Sequence, residues 1–376
     1  MNLHKQESHP FYFKLALILI SIIALGYLSI LAKGILSPLL FGLLFSILLL
    51  PLSSSLEKKF KLKRSASSGL SVLLLLLCIC GLLYLVGAEV SNLAKDLPML
   101  KQQLITSFHS FQQWISSTFH MNIEKQMDYL QTATSKIKTA TPSMIGSTVL
   151  SLSSILLFVV FIIFDTFFML FYRRRLLQFL VDAFGKENSN TVLDVVATVQ
   201  FILRKYVVGL LLEMATVALV CCTVFLLLGI KYAILLGLIT ALFNIVPYIG
   251  IFSALVLNIV ITFATTALAS KVLLVVITVI SMHLIDSNIL LPLIVGSKVR
   301  INAFITLLGV VLGEMIWGLS GMFLSIPMIA IAKIIFDRVE SLQPWGHLLG
   351  DEKIDAPNFN MNLRKRKAKA VEHHHH

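Results

Sequence analysis

The chain has 376 residues, of which 57% are hydrophobic and only 13% charged, and its mean hydropathy is +0.89. A soluble domain carries about 25% charged residues, so the composition excludes a soluble globular protein and describes a polytopic membrane protein, helical rather than a barrel. The net charge of +12 fits basic cytoplasmic loops and argues for no nucleic-acid partner, because Lys and Arg collect on the cytoplasmic side of membrane proteins.

About 20 apolar residues cross the hydrocarbon core as a helix. On that measure, spans are predicted at 15–32, 35–52 and 70–88, so residues 1–88 form a three-span N-terminal scaffold. Residues 89–148 follow as an extracytoplasmic segment. There Leu97, Leu100, Leu104, Phe108, Phe111 and Ile115 recur at helical spacing and give an amphipathic helix. Its apolar stripe covers the membrane surface, its own domain or another subunit. A fourth span is predicted at 149–172, within a section 149–205 that ends in a cytoplasmic amphipathic helix carrying Val192, Val195, Val196, Val199, Ile202 and Leu203. Residues 206–336 hold spans at 206–230 and 272–295 and two interrupted segments, 232–269 and 303–336. Residues 337–376 are a basic tail ending in Val-Glu-His-His-His-His, which has the composition of an expression tag. No cleavable signal peptide is expected, because the first apolar run is too long and continues into a second.

The two interrupted segments are the most informative part of the chain. Each opens Leu-Leu-Gly, at Leu235 and Leu307, and each breaks after about four turns. The first breaks at Pro247, Tyr248, Ile249 and Gly250, the second over Gly318 to Gly321, with Pro327 beyond. In lipid an unpaired backbone group costs several kcal/mol, so such breaks need protein or a water-filled cavity around them. Orientation follows from basic residues. Lys58, Lys59, Lys61, Lys63, Arg64, Arg173, Arg174, Arg175, Lys298 and Arg300 belong to cytoplasmic loops, and both termini are expected in the cytoplasm. The first interrupted segment must then begin and end outside and the second begin and end inside. Each is expected to be a hairpin, and together with their preceding spans they read as an inverted repeat with a site near the midplane. The alternative is a pair of ordinary helix pairs with tight turns.

Ionisable side chains within spans are costly and mark functional sites by default. Asp286 lies mid-span, with His283 one turn before it and Asn288 beside it. These three can hold a proton, a cation or a polar solute, or can serve helix packing. Asn244 and Glu314 stand just before the two breaks, and their matching positions predict that both face one cavity. Glu213, two turns into the fifth span, reads as a relay or as a snorkelling acid. Pro247, Tyr248, Gly250, Gly318, Gly321 and Pro327 are the expected hairpin gate, since proline removes a donor and glycine admits φ > 0. Asp165 reads as an interfacial structural acid. Cys78, Cys80, Cys221 and Cys222 read as small buried hydrophobes, with no disulfide or metal implied. No Walker loop, GxSxG elbow or HExxH is present, so there is no signal for an ATPase, esterase or metalloprotease, and neither an enzyme nor a cofactor is expected.

Three blocks of the C-terminal half resemble a known family. They are 200–209 with Leu228-Gly229, Leu235-Leu236-Gly237 and Asn244-Ile-Val-Pro-Tyr-Ile-Gly250; Asp286-Ser-Asn-Ile-Leu-Leu-Pro292 through Gly296 and Lys298; and Gly313-Glu-Met-Ile-Trp317-Gly318-Leu-Ser-Gly321 through Pro327 to Lys333. Together these are similar to the autoinducer-2 exporter family of permeases; the N-terminal half is similar only in layout. The family usually has a further proline or glycine after Pro-Tyr-Ile-Gly, where this chain has Ile251-Phe252. The resemblance implies a multi-pass bacterial inner-membrane carrier that works without ATP, linked in some members to export of autoinducer-2 and in others to sodium–proton antiport. It also implies a homo-oligomer, a pentamer in the first instance. The expected function is secondary active export of a small polar solute coupled to a proton or sodium gradient. The alternatives are a sodium or lithium–proton antiporter with no organic substrate and a non-transporting membrane scaffold.

Overall fold

In the computed structural model, the described residues are 11–100, 102–103, 105–106, 123–246, 249–266, 268–290 and 301–350. Of the calculated expectations above, the apolar positions Leu104, Phe108, Phe111 and Ile115, and the gate residues Pro247 and Tyr248, lie outside them. The described residues are almost entirely helical, as an apolar chain that must satisfy its own backbone groups in lipid requires.

Helices α1 (Phe11–Leu31) and α2 (Lys33–Lys59) are joined through Ala32 alone. That joint is shorter than the loop of about 2–5 residues in a helical hairpin. Helix α3 (Arg64–Lys95) follows, then the long α4 (Ile123–Phe184) and α5 (Ser189–Leu227). The predicted cytoplasmic amphipathic helix and fifth span are therefore one continuous helix, α5. Among the described residues, six helices are long and apolar enough to cross a membrane. The protein is an all-α, multi-pass membrane protein.

The first interrupted segment forms α6 (Ala233–Phe243) and α7 (Ile249–Thr266). At 1.5 Å per residue α6 rises about 17 Å, too little to cross a hydrocarbon core of about 30 Å. Helix α8 (Ala269–Ile285) continues as a π-helical turn, Asp286–Leu290. The second interrupted segment forms α9 (Ala303–Trp317) and α10 (Leu319–Arg338), and α11 (Gln343–Leu349) closes the described chain. Its break is at Gly318 alone, where φ is +66°; Gly321 already lies inside α10.

Small residues set the helix spacing, as is usual where lipid supplies no hydrophobic drive between helices. Ser53, Ser67, Ser68 and Ser71 are fully buried between α2 and α3, and the Ser53 and Ser67 hydroxyls lie 3.0 Å apart. Below them Arg173 donates to Glu57 at 2.7 Å; Asp165 instead sits half-buried against Gly42. Helix α9 packs on α10 through Gly313 and Gly321. A Cβ on either glycine would run into the carbonyl oxygen of the other. Phe41 of α2 stacks on Phe323 of α10, 5.3 Å between centroids. The Trp317 indole donates to the Ser29 carbonyl at 3.0 Å, which ties the tip of the second hairpin to the end of α1.

Three further expectations need correction. Cys78 and Cys80 are exposed on the outside of α3 rather than buried, on a face that no described helix covers; Cys221 is buried and Cys222 half-buried. Leu97 is likewise exposed, while Leu100 is buried. Pro327 is buried within α10, two turns past the hairpin tip, so it is not a tip residue.

Candidate functional site

The site begins where α6 ends. Asn244 caps α6 in a helical conformation (φ −60°, ψ −16°), and the chain then turns through Ile245 and Val246. The proline that follows in sequence disfavours helix at the residue before it. Gly250 lets α7 begin at once: the Phe243 carbonyl oxygen occupies the place a side chain would need. Asn244 is thereby held at the tip of the first hairpin, roughly one α6 length from its root at Tyr232.

Two other helices bring acids to that tip. Glu213 lies about four turns before the end of α5 and is only 3% exposed. Asp286, 6% exposed, opens the π-helical turn at the end of α8. Such turns insert one extra residue, re-aim side chains and recur at functional sites. The Asn244 amide nitrogen donates to Glu213 Oε1 at 2.7 Å and to Asp286 Oδ2 at 3.0 Å. One amide therefore uses both hydrogens to bridge two buried carboxylates from separate helices. Glu213 Oε2 and Asp286 Oδ1 are buried with no hydrogen-bond partner among the described residues.

This geometry has an electrostatic consequence. Two oxygens bonded to one nitrogen lie no more than about 6 Å apart. If both carboxylates carry charge, they repel by about 3 kcal/mol at an effective dielectric of about 20. Each also carries a desolvation cost of several kcal/mol. A proton or a monovalent cation beside the free oxygens relieves both. The ligands facing such an ion, two carboxylate oxygens, suit hard ions rather than zinc. The adjoining cavity is lined by Val217, Thr240, Asn244, Ile251, Val279, Met282, His283 and Asp286 and measures about 10 Å³, room for about one water-sized occupant.

Of the residues picked out from sequence, Glu213, Asn244 and Asp286 meet directly, and His283 lines the cavity with its Nδ1 buried and unpartnered. His283 Nε2 lies 3.4 Å from the Ser287 hydroxyl. Glu314 is a correction. Its side chain is exposed and does not line the cavity, because Gly313 takes the inward position against α10 and the next residue points about 100° away. Asn288 is also exposed and donates to the carbonyl of Leu284 in its own helix. Gly318 and Gly321 belong to the second hairpin's turn and packing, not to the cavity. Sequence reasoning missed Thr240, which lines the cavity and accepts a hydrogen bond from Asn258 at 2.8 Å. Its signal was a polar residue one turn before Asn244 on the same helix face.

At the far end of the hairpin, Lys231 donates to Asp96 at 2.6 Å, and the Tyr232 hydroxyl also donates to Asp96. Both hydrogen bonds hold the Asp96 carboxyl below its usual range, the one from Lys231 the more strongly. Tyr232 sits at φ +64°, an uncommon conformation for a non-glycine residue. This clamp fastens the root of the hairpin to the end of α3.

Comparison with known proteins agrees with this architecture. The family described as AI-2E family transporter matches residues 17–341. "Putative transport protein YueF" of Bacillus subtilis (strain 168) is 27% identical over 311 residues, covering 78% of this chain and 80% of that protein. "Putative transport protein YrrI" of the same organism is 33% identical over 133 residues, 35% of this chain and 37% of that protein.

Proposed function

Because this chain belongs to the AI-2E transporter family, we propose that it is a secondary active transporter whose coupling ion binds at Glu213, Asn244 and Asp286. The single observation that carries this reading is the Asn244 amide bridging two buried carboxylates, each with an oxygen left free. The ion is a proton or sodium, and the cargo in the leading version is a small polar solute moved outward across a bacterial inner membrane, with both termini cytoplasmic. The first hairpin is the mobile part. Its tip carries Asn244, so withdrawing the hairpin separates the two acids from their shared donor and changes their affinity for the ion. The second hairpin enters from the opposite face and is fastened to the first helices through Trp317 and Phe323.

A second reading is favoured by the size of the cavity. With room for about one water-sized occupant, it suits an ion better than an organic solute. A sodium or lithium–proton antiporter needs nothing larger.

The test uses proteoliposomes with a trapped pH dye, to which Na⁺, Li⁺ or K⁺ is added across an imposed proton gradient. Cation-dependent proton movement, lost in both Glu213→Gln and Asp286→Asn, establishes the antiporter. No proton movement, with solute uptake still sensitive to Asp286→Asn, establishes solute export. If both variants behave like the wild type in every flux assay, the site is structural and the proposal fails.

A further inference from the structure

A second polar group lies inside the first hairpin, in contact with the cavity but not part of it. Asn258 and Thr262, one turn apart on α7, are both 0% exposed. The Asn258 amide nitrogen donates to Thr240 Oγ1 and to the Ala254 carbonyl, each at 2.8 Å. A carbonyl accepts only, so the nitrogen must face it, and the assignment of Oδ1 as the free atom follows. That Oδ1 is buried with no partner among the described residues, and so is the Thr262 hydroxyl. The hydroxyl is the more telling of the two. A threonine within a helix ordinarily donates to the carbonyl four residues back. Thr216, Thr223, Thr240, Thr265, Thr266 and Thr278 all do so here, and Thr262 does not. Two buried, neutral oxygens thus stand unused on one helix face, where leaving a buried polar group unpaired is costly.

We propose that Asn258 and Thr262, with Thr240 beside them, form a second binding site for a partly dehydrated monovalent cation, between the hairpin root and the Glu213–Asp286 pair. Oxygen ligands without charge suit a small hard cation. Lacking the carboxylates' charge, such a site binds weakly enough to pass its ion on. The order of groups along the hairpin, Thr262, then Asn258, then Thr240 at the cavity, gives the ion a series of oxygens leading to the acids. The inference rests on the transport reading above only in taking a monovalent cation as the ligand.

The experiment measures ²²Na⁺ binding to the purified full-length protein by scintillation proximity, in the wild type and in Thr262→Val, Thr262→Ser and Asp286→Asn. Valine keeps the shape and removes only the hydroxyl; serine restores it. Thr262→Val is expected to weaken one component of sodium binding about tenfold or more, the loss of one good oxygen contact, and Thr262→Ser to restore it. Sodium binding in Thr262→Val equal to that of the wild type overturns the proposal, as does an equal loss in the valine and serine variants, which would mean packing. A wild type that binds no sodium overturns it too. If Asp286→Asn leaves the Thr262-sensitive component in place, the second site stands whatever becomes of the carboxylate reading.

Discussion

Gly321→Ala is the sharpest test of how the second hairpin is held. Gly313 and Gly321 face each other across the turn at Gly318, and the Gly313 Cα lies 3.1 Å from where a Cβ on Gly321 would stand. The Gly313 carbonyl oxygen is closer still. The obstacle is backbone, which cannot rotate aside, so α9 and α10 must separate. Overpacking costs about 1–3 kcal/mol, and a backbone clash belongs at the upper end. Against this, alanine gains about 0.5–1 kcal/mol over glycine within a helix. The net expectation is a loss of about 2 kcal/mol. Gly81→Ala is the control: a Cβ there meets nothing within 4 Å, so the propensity gain remains and the variant is neutral or slightly more stable. Unfolding by SDS titration in mixed micelles measures both. Because one separation of the helices accommodates either methyl group, Gly313→Ala combined with Gly321→Ala should cost less than the two single losses added. The reasoning is refuted if Gly321→Ala is as stable as Gly81→Ala.

Three other outcomes are expected. Glu314→Gln should leave cation-dependent proton movement within about twofold of the wild type, while Glu213→Gln lowers it at least about tenfold, a difference of roughly 1.4 kcal/mol read in the same vesicles. Asp96 has a folded-state pKa below its ordinary value, so its contribution to stability is present above the unfolded value of about 4 and is lost as pH falls through the lowered one. Melting curves of wild type and Asp96→Asn should therefore differ at pH 7 and converge as pH falls through the lowered Asp96 value. Arg173→Gln should destabilise by about 1–3 kcal/mol, because its 2.7 Å partner Glu57 is only 18% exposed. Arg338→Gln should cost under about 1 kcal/mol, since Asp194 is 62% exposed; chemical denaturation ranks the two.

The two hairpins were legible in sequence because their cause is local. Proline beside glycine in an apolar run favours a break, and α6 ends one turn before Pro247 and α9 directly before Gly318, although Pro38, Pro51 and Pro327 lie inside helices. The acids were legible singly for the same kind of reason: a carboxyl group in an apolar run is conspicuous. Their meeting was not legible. Glu213 and Asp286 stand on separate helices and are bridged by the side chain of Asn244, and that depends on how far α6 runs back along α5 before it stops. The pairing of Glu314 with Asn244 failed on helical phase. Both residues precede a break, but Gly313 faces inward, and a step of one residue carries Glu314 to the outer face. Thr262 was missed because its distinction, a hydroxyl not bonded to its own helix, is a rotamer choice set by neighbours.

The bridge at Asn244 also sets a timetable for biosynthesis. Asn244 follows Glu213 by 31 residues, and Asp286 follows Asn244 by another 42. A ribosome adding about 5–20 residues per second needs roughly 2–6 s to supply the first partner and roughly 2–8 s more to supply the second. Throughout that interval α5 holds a carboxyl group without its final neighbours. Inserting the chain one finished helix at a time would leave that acid in lipid at a cost of about 2.5–3.5 kcal/mol if charged. Glu213 must wait at the translocon or in a hydrated cleft until α8 arrives, so shortening the delay before Asp286 emerges should raise the yield of folded protein.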